Sequence, residues 1–127
     1  MIQHIGAGAP RPGALQLPYT PAVRAGDYVF VSGQLGLDAD GKPVSADVGG
    51  QARECIAKLR RLLQAAGADL DRIVKVNVWL THAEDFPAFN AVYRECMSAT
   101  PPARSTVISA LVIPGTRIEI DAIAYVG

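Results

Sequence analysis

Two stretches of this chain, Tyr28-Val-Phe-Val31 and Ile73–Leu80, carry apolar groups on both faces of any strand they form. Neighbouring residues of a strand point to opposite sides, so such strands need cover above and below. Asp27–Ser32 reads as a strand ending at Gly33, hairpinned with Pro21–Ala25 across Gly26. Ile73–Thr81 reads as another, with Val76, Val78 and Leu80 alternating. Between and after them lie two helical patterns. From Asp47 to Ala66, Val48, Ala52, Cys55, Leu59, Leu62, Leu63 and Ala66 recur at three- and four-residue steps, and Gly67 sits where a C-terminal cap belongs. From Glu84 to Met97, Asp85 is placed to cap the N-terminus and Pro87 falls in the first turn. Phe89, Val92, Tyr93 and Cys96 then face inward.

Two strands close the chain, Arg104–Leu111 and Arg117–Val126, joined by a turn at Pro114-Gly115. The order is β-β-α-β-α-β-β. Residues 1–21 hold Pro10, Pro12, Pro18 and Pro21 and read as an extended or loop-like arm leading into the domain. With 127 residues and no internal linker, a single domain spanning 1–127 is expected. Two helices cover one face of a sheet of four or more strands. The other face must then be covered by something else, and the expected cover is a second copy of the chain, with clefts between subunits.

Half the residues are hydrophobic and 19% are charged, which suits a packed core and not disorder. Twelve basic and twelve acidic residues cancel. A nucleic-acid binder normally carries a basic excess, because phosphate contacts supply most of its affinity. No nucleic-acid partner is expected. Cys55 and Cys96 form no disulfide framework, and no segment approaches the length of a spanning helix or has the form of a secretion signal. The expectation is a soluble cytoplasmic protein with no membrane partner.

Few residues here suit metal or nucleophilic chemistry. His4 and His82 have no second ligand at a familiar spacing, and both cysteines fall on apolar helix faces. No glycine-rich phosphate loop leads into a helix, and Gly49-Gly50 reads as a fraying first turn. Ser32 and Ser105 lack a histidine base. Arg53, Lys58, Arg60 and Arg61 read as a solvated face, with Glu54 four residues before Lys58. On the last strand, Glu119 and Asp121 share a face, a placement that can raise a carboxylate pKa for acid–base work. Arg104 begins what reads as the neighbouring strand, straight after Pro101-Pro102. Its planar fork suits a carboxylate, and spacing alone favours a structural ion pair with Glu119 or Asp121.

The run Pro101-Pro-Ala-Arg-Ser-Thr-Val107, with Glu119 fifteen residues after Arg104, resembles the signature of the RidA/YjgF family of enamine/imine deaminases. Leu17-Pro-Tyr19, Phe30-Val-Ser-Gly-Gln34, Gln51-Ala-Arg53, Ala65-Ala-Gly67, Ile73-Val-Lys-Val76 and Phe89-Asn-Ala-Val-Tyr93 also match, in order, from about residue 16 to 126. The resemblance implies a chorismate-mutase-like α+β fold, a homotrimer with sheets facing inward, and clefts at subunit interfaces. It implies hydrolysis of small 2-imino or enamine acids, of the 2-iminobutanoate and 2-iminopropanoate type, to 2-oxo acids and ammonia, without a cofactor or metal. By the same resemblance Arg104 grips the substrate carboxylate and Glu119 activates water. Tyr19 contacts the ligand from the arm, Gly33 and Asn90 line the cleft, and Thr106 offers backbone groups where many deaminating members carry cysteine. The segment between Tyr93 and Arg104 is shorter than in the best-known members, which bears on the cleft rim. The alternatives are a specialised deaminase of another carboxylated enamine such as 2-aminomuconate, or a trimer that binds a small ligand without turnover. A ribonuclease is the least favoured, given zero net charge and no histidine pair.

Overall fold

The computed structural model describes residues 1–6 and 17–127. Six strands form one sheet: β1 (Ile2–Ile5), β2 (Ala22–Ala25), β3 (Tyr28–Leu35), β4 (Ile73–Leu80), β5 (Ala103–Ile108) and β6 (Ile118–Tyr125). Helix α1 (Val48–Ala65) follows β3, and α2 (Phe86–Cys96) follows β4. The fold is a mixed α+β single domain, with strand order β1-β2-β3-β6-β4-β5. Strands β4 and β5 run parallel and every other neighbouring pair is antiparallel.

Local chemistry explains the helices. The Asp47 carboxylate accepts the Gly50 N–H at 2.8 Å, capping α1. At the other end Gly67 adopts φ 85°, the left-handed conformation read from sequence. The Ala68 N–H then reaches Leu63 O at 2.8 Å and the Gly67 N–H reaches Gln64 O, closing the last turn. Pro87 begins α2 as expected, but Asp85 makes no side-chain cap. Its carboxylate is taken by Arg117, with Nε at 2.7 Å and Nη2 at 3.0 Å, which ties the start of α2 to the start of β6.

One face of the sheet makes the core. Val29, Val31, Val76, Val78, Leu80, Ile118, Ile120, Ala122 and Ala124 are buried and pack with Ala52, Cys55, Leu59, Leu63 and Phe89 of the helices. Cross-strand register keeps these residues together: Val29 with Ala124, Val31 with Ala122, Val78 with Ile120. The other face carries Tyr28 beside Tyr125, with ring centroids 5.3 Å apart, and Phe30 beside Ile123. Tyr28 and Phe30 are each 45% exposed, so the apolar second face read from sequence is uncovered within one chain.

Three expectations need correction. Residues 1–21 are not an arm throughout: Ile2–Ile5 pairs with Ala22–Ala25 as an edge strand, and Ile5 enters the core. Pro10 and Pro12 of that arm lie outside the described residues. Strand β3 does not end at Gly33 but continues to Leu35 through a bulge between Val31 and Gln34. The two closing strands are not neighbours, because β6 lies between β3 and β4 while β5 sits beyond β4 at the edge. The reason is topological. A helix separates β4 from β5, and a helical crossover returns the chain parallel, whereas the short link after β5 sends β6 back antiparallel.

Candidate active site

Glu119 lies on β6 between the buried Ile118 and Ile120, so its side chain leaves the open face of the sheet. The β3 bulge makes its berth: a Cβ on Gly33 would overlap the Glu119 carboxylate, and only glycine leaves that space. Ser32 Oγ donates to Thr20 O at 2.7 Å, holding the incoming segment, with Tyr19 next to it, against β3. Together Tyr19, Ser32, Gly33, Lys58, Val112 and Glu119 help line a cavity of about 550 Å³. Burial is the main cause that raises the Glu119 pKa above its ordinary value, and the neighbouring Asp121 charge adds to it. Asp121 is raised by burial too, partly offset by hydrogen bonds from Asn77.

Arg104 stands elsewhere. Its cross-strand partner on β4 is Val76, so it projects to the helix side of the sheet. There its guanidinium lies over three rings of α2, 5.7 Å from the Phe86 centroid, 5.0 Å from Phe89 and 4.8 Å from Tyr93. These residues recur along α2 so that one helix face presents all three rings. Among the described residues Arg104 makes no ion pair, so the structural pairing with Glu119 or Asp121 expected from spacing is not formed. Asn90, Tyr93, Met97, Pro102 and Arg104 border a second cavity of about 580 Å³. The Tyr93 hydroxyl beside it is buried without a hydrogen-bond partner among the described residues. Thr106, paired with Val78 on the same side as Arg104, lines neither cavity.

The residues singled out in the sequence therefore divide. Tyr19, Gly33 and Glu119 share one cavity; Asn90 and Arg104 share the other. Within one chain Arg104 and Glu119 leave opposite faces of the sheet with β4 between them, which corrects the expectation of adjoining strands. Cys55 is a poor nucleophile, since burial pushes its thiol up to about 12. No three His, Cys, Asp or Glu side chains converge as a metal ion would require, among the described residues. No helix among them is long and apolar enough to cross a membrane.

Two features went unread in the sequence. The ring face of Phe86, Phe89 and Tyr93 was legible only as core, because nothing along the chain says which strand lies opposite it. Lys58 reads in the sequence as part of a solvated basic stretch. Arg53, Arg60 and Arg61 do pair with Glu95, Asp69 and Glu54 at the surface, but Lys58 turns inward and donates to Leu35 O at 3.0 Å. The available signal was the stripe Gln51, Cys55, Lys58, Leu62, which follows the buried face at four- and three-residue steps.

A sequence model of the family described as Endoribonuclease L-PSP matches residues 10–126. The chain belongs to the RidA/YjgF family. Among RidA/YjgF relatives, the human protein named 2-iminobutanoate/2-iminopropanoate deaminase is 34% identical over 128 aligned positions, covering 100% of this chain and 93% of that one. Protein mmf1, mitochondrial, of Schizosaccharomyces pombe is 41% identical over 110 residues, covering 84% of this chain and 67% of its own length. Among solved RidA/YjgF structures, E. coli TdcF with bound serine superposes with a TM-score of 0.83. It is 34% identical and covers 97% of this chain and 98% of that one.

Proposed function

We propose that this protein hydrolyses 2-imino acids and their enamine tautomers to 2-oxo acids and ammonia, at a site completed by a second copy of the chain. The observation that carries this reading is the Glu119 carboxylate, seated over Gly33 in a cavity and holding its proton more tightly than an ordinary glutamate. A base with a raised pKa is better matched to proton transfer near neutral pH. The deaminase names of the human, goat and cattle relatives support the same chemistry.

The imine carbon is already electrophilic, so orientation, water delivery and proton transfer suffice. Arg104, which holds no carboxylate among the described residues and lies over three rings, would take the substrate carboxylate through two parallel N–H donors. Glu119 would accept a proton from water as the water oxygen bonds to the imine carbon, giving a carbinolamine. The same carboxyl group would return that proton to nitrogen. Glu119 would then move the hydroxyl proton to the nitrogen as the carbonyl forms, so that the C–N bond breaks and ammonia leaves.

Arg104 and Glu119 reach one substrate only if the open face of one subunit meets the β5 edge and α2 of another. The exposed Tyr28 and Phe30 are the apolar surface that such packing would bury. A homotrimer is the assembly the family resemblance favours. The description of the family as endoribonucleases suits this chain less well, because its zero net charge provides no excess of cations for phosphates.

The test generates 2-iminobutanoate from threonine with a dehydratase and follows 2-oxobutanoate release against spontaneous hydrolysis. Acceleration by the wild type is expected, together with a fall of about tenfold to a hundredfold in kcat/KM for Arg104→Ala, the worth of one charged hydrogen-bonding group. Glu119→Gln is expected to bind 2-oxobutanoate but not to turn over the imine. Should Glu119→Gln keep full activity, another group is the base; should the wild type give no acceleration, the reading reduces to ligand binding.

A further inference from the structure

The cavity that holds Glu119 contains a cation that the reaction above leaves unused. Lys58 lines it from α1, and one of its three N–H donors is spent on Leu35 O. Lys58 and Glu119 line the same cavity, and among the described residues no ion pair joins them. The helix's other cations in this stretch each hold a carboxylate; among the described residues Lys58 holds none. Half-burial lowers its proton affinity, and the nearby Glu54 charge offsets that cost only in part.

Such a cation stabilises an anion that enters the cavity, and the surroundings say where. Glu119 repels an anionic group beside itself, while Leu17, Leu37, Val112 and Ile113 offer apolar walls for a short carbon chain. If Arg104 of a second copy takes the carboxylate next to the imine, the group left for Lys58 is at the other end of the molecule. We propose that Lys58 is a specificity-determining residue that selects 2-imino acids bearing a second carboxylate at the end of a short side chain. This rests on the deaminase reading for the identity of the reaction, but not for the existence of the anion subsite. A monocarboxylate leaves the ammonium unpaired; a dicarboxylate of four or five carbons supplies its counter-ion through a charge-assisted hydrogen bond.

Calorimetric titration of the stable products tests it without turnover. We expect 2-oxoglutarate to bind the wild type about tenfold or more tightly than 2-oxobutanoate, as one added charged hydrogen bond requires. That advantage is expected to vanish in Lys58→Met and to persist in Lys58→Arg, with melting curves checking that both variants fold. Equal or undetectable affinities for the two acids in the wild type overturn the proposal, even if Lys58→Met does not fold. So does a Lys58→Met variant that weakens both acids alike, the pattern of a lysine that only props Leu35. The imine assay separates the two readings. Acceleration of 2-iminobutanoate without a preference between the acids removes Lys58 and keeps the deaminase. A Lys58-dependent preference without acceleration removes the deaminase and keeps the subsite.

Discussion

Glu119 and Asp121 stand two residues apart on one strand face, and burial raises the proton affinity of both. If Glu119 is the base, it works when deprotonated, so kcat/KM rises with pH through a pKa above the ordinary value of 4.5. Asp121→Asn removes the like charge but not the burial. The rising limb is therefore expected to move to lower pH without reaching 4.5 in a pH–rate profile. A limb that stays in place would assign it to another group. Arg104 makes its own prediction. Arg104→Lys keeps the charge but loses both the planar fork and its stacking on Phe86, Phe89 and Tyr93. A fall of about tenfold in kcat/KM is expected, carried mainly by KM, from steady-state rates on 2-iminobutanoate.

The elements are held in place by a few contacts that no side-chain periodicity announces. Gln51 is fully buried on α1, yet every polar atom it owns is used. Its Nε2 donates to Ser45 O and Gly115 O, both at 3.0 Å, and its Oε1 accepts the Arg117 N–H at 2.7 Å. One side chain thus joins the loop before α1, the turn before β6 and Arg117, the residue that leads into β6 just ahead of Glu119. Beside it, Gly36 lets α1 lie directly on the chain after β3: a Cβ there would come within 2.6 Å of the Gln51 Cα. Backbone cannot yield as a flexible side chain can, so Gly36→Ala is expected to cost about 1–3 kcal/mol. Urea denaturation of wild type and variant measures it. Stability unchanged by Gly36→Ala would mean that α1 shifts freely, and that Gln51 does not anchor the start of β6.

At the scale of the molecule, the sheet has a finished side and an unfinished one. The finished side is the core under both helices; the other leaves Tyr28, Phe30 and Tyr125 substantially exposed. If the proposed assembly forms on this face, with Glu119 of one copy meeting Arg104 of another, folding and chemistry depend on the same contact. Light scattering is expected to give a multiple of the 13.4 kDa chain mass, three-fold on the trimer reading. Phe30→Asp places a charge at the centre of the face, and it is expected to reduce the mass and the imine turnover together. A variant that sediments as a single chain yet retains full turnover would sink the shared site.

The elements themselves were legible in the sequence, because they depend on neighbours close along the chain. The α1 apolar stripe, the Gly67 stop, and the alternation of Ile118, Ile120, Ala122 and Ala124 are local properties. The family signature around Arg104 and Glu119 was legible for the same reason. Strand order was not, since periodicity shows which face of β6 is buried but not that β6 pairs with β3 and β4. Nor was the small β1, whose pairing with β2 bridges the proline-containing stretch. Whether Arg104 meets a carboxylate or three rings, and whether Lys58 meets water or a cavity, was decided only when distant segments closed around them. Side-chain partners across a sheet are set by register and crossover, and those are properties of the whole chain.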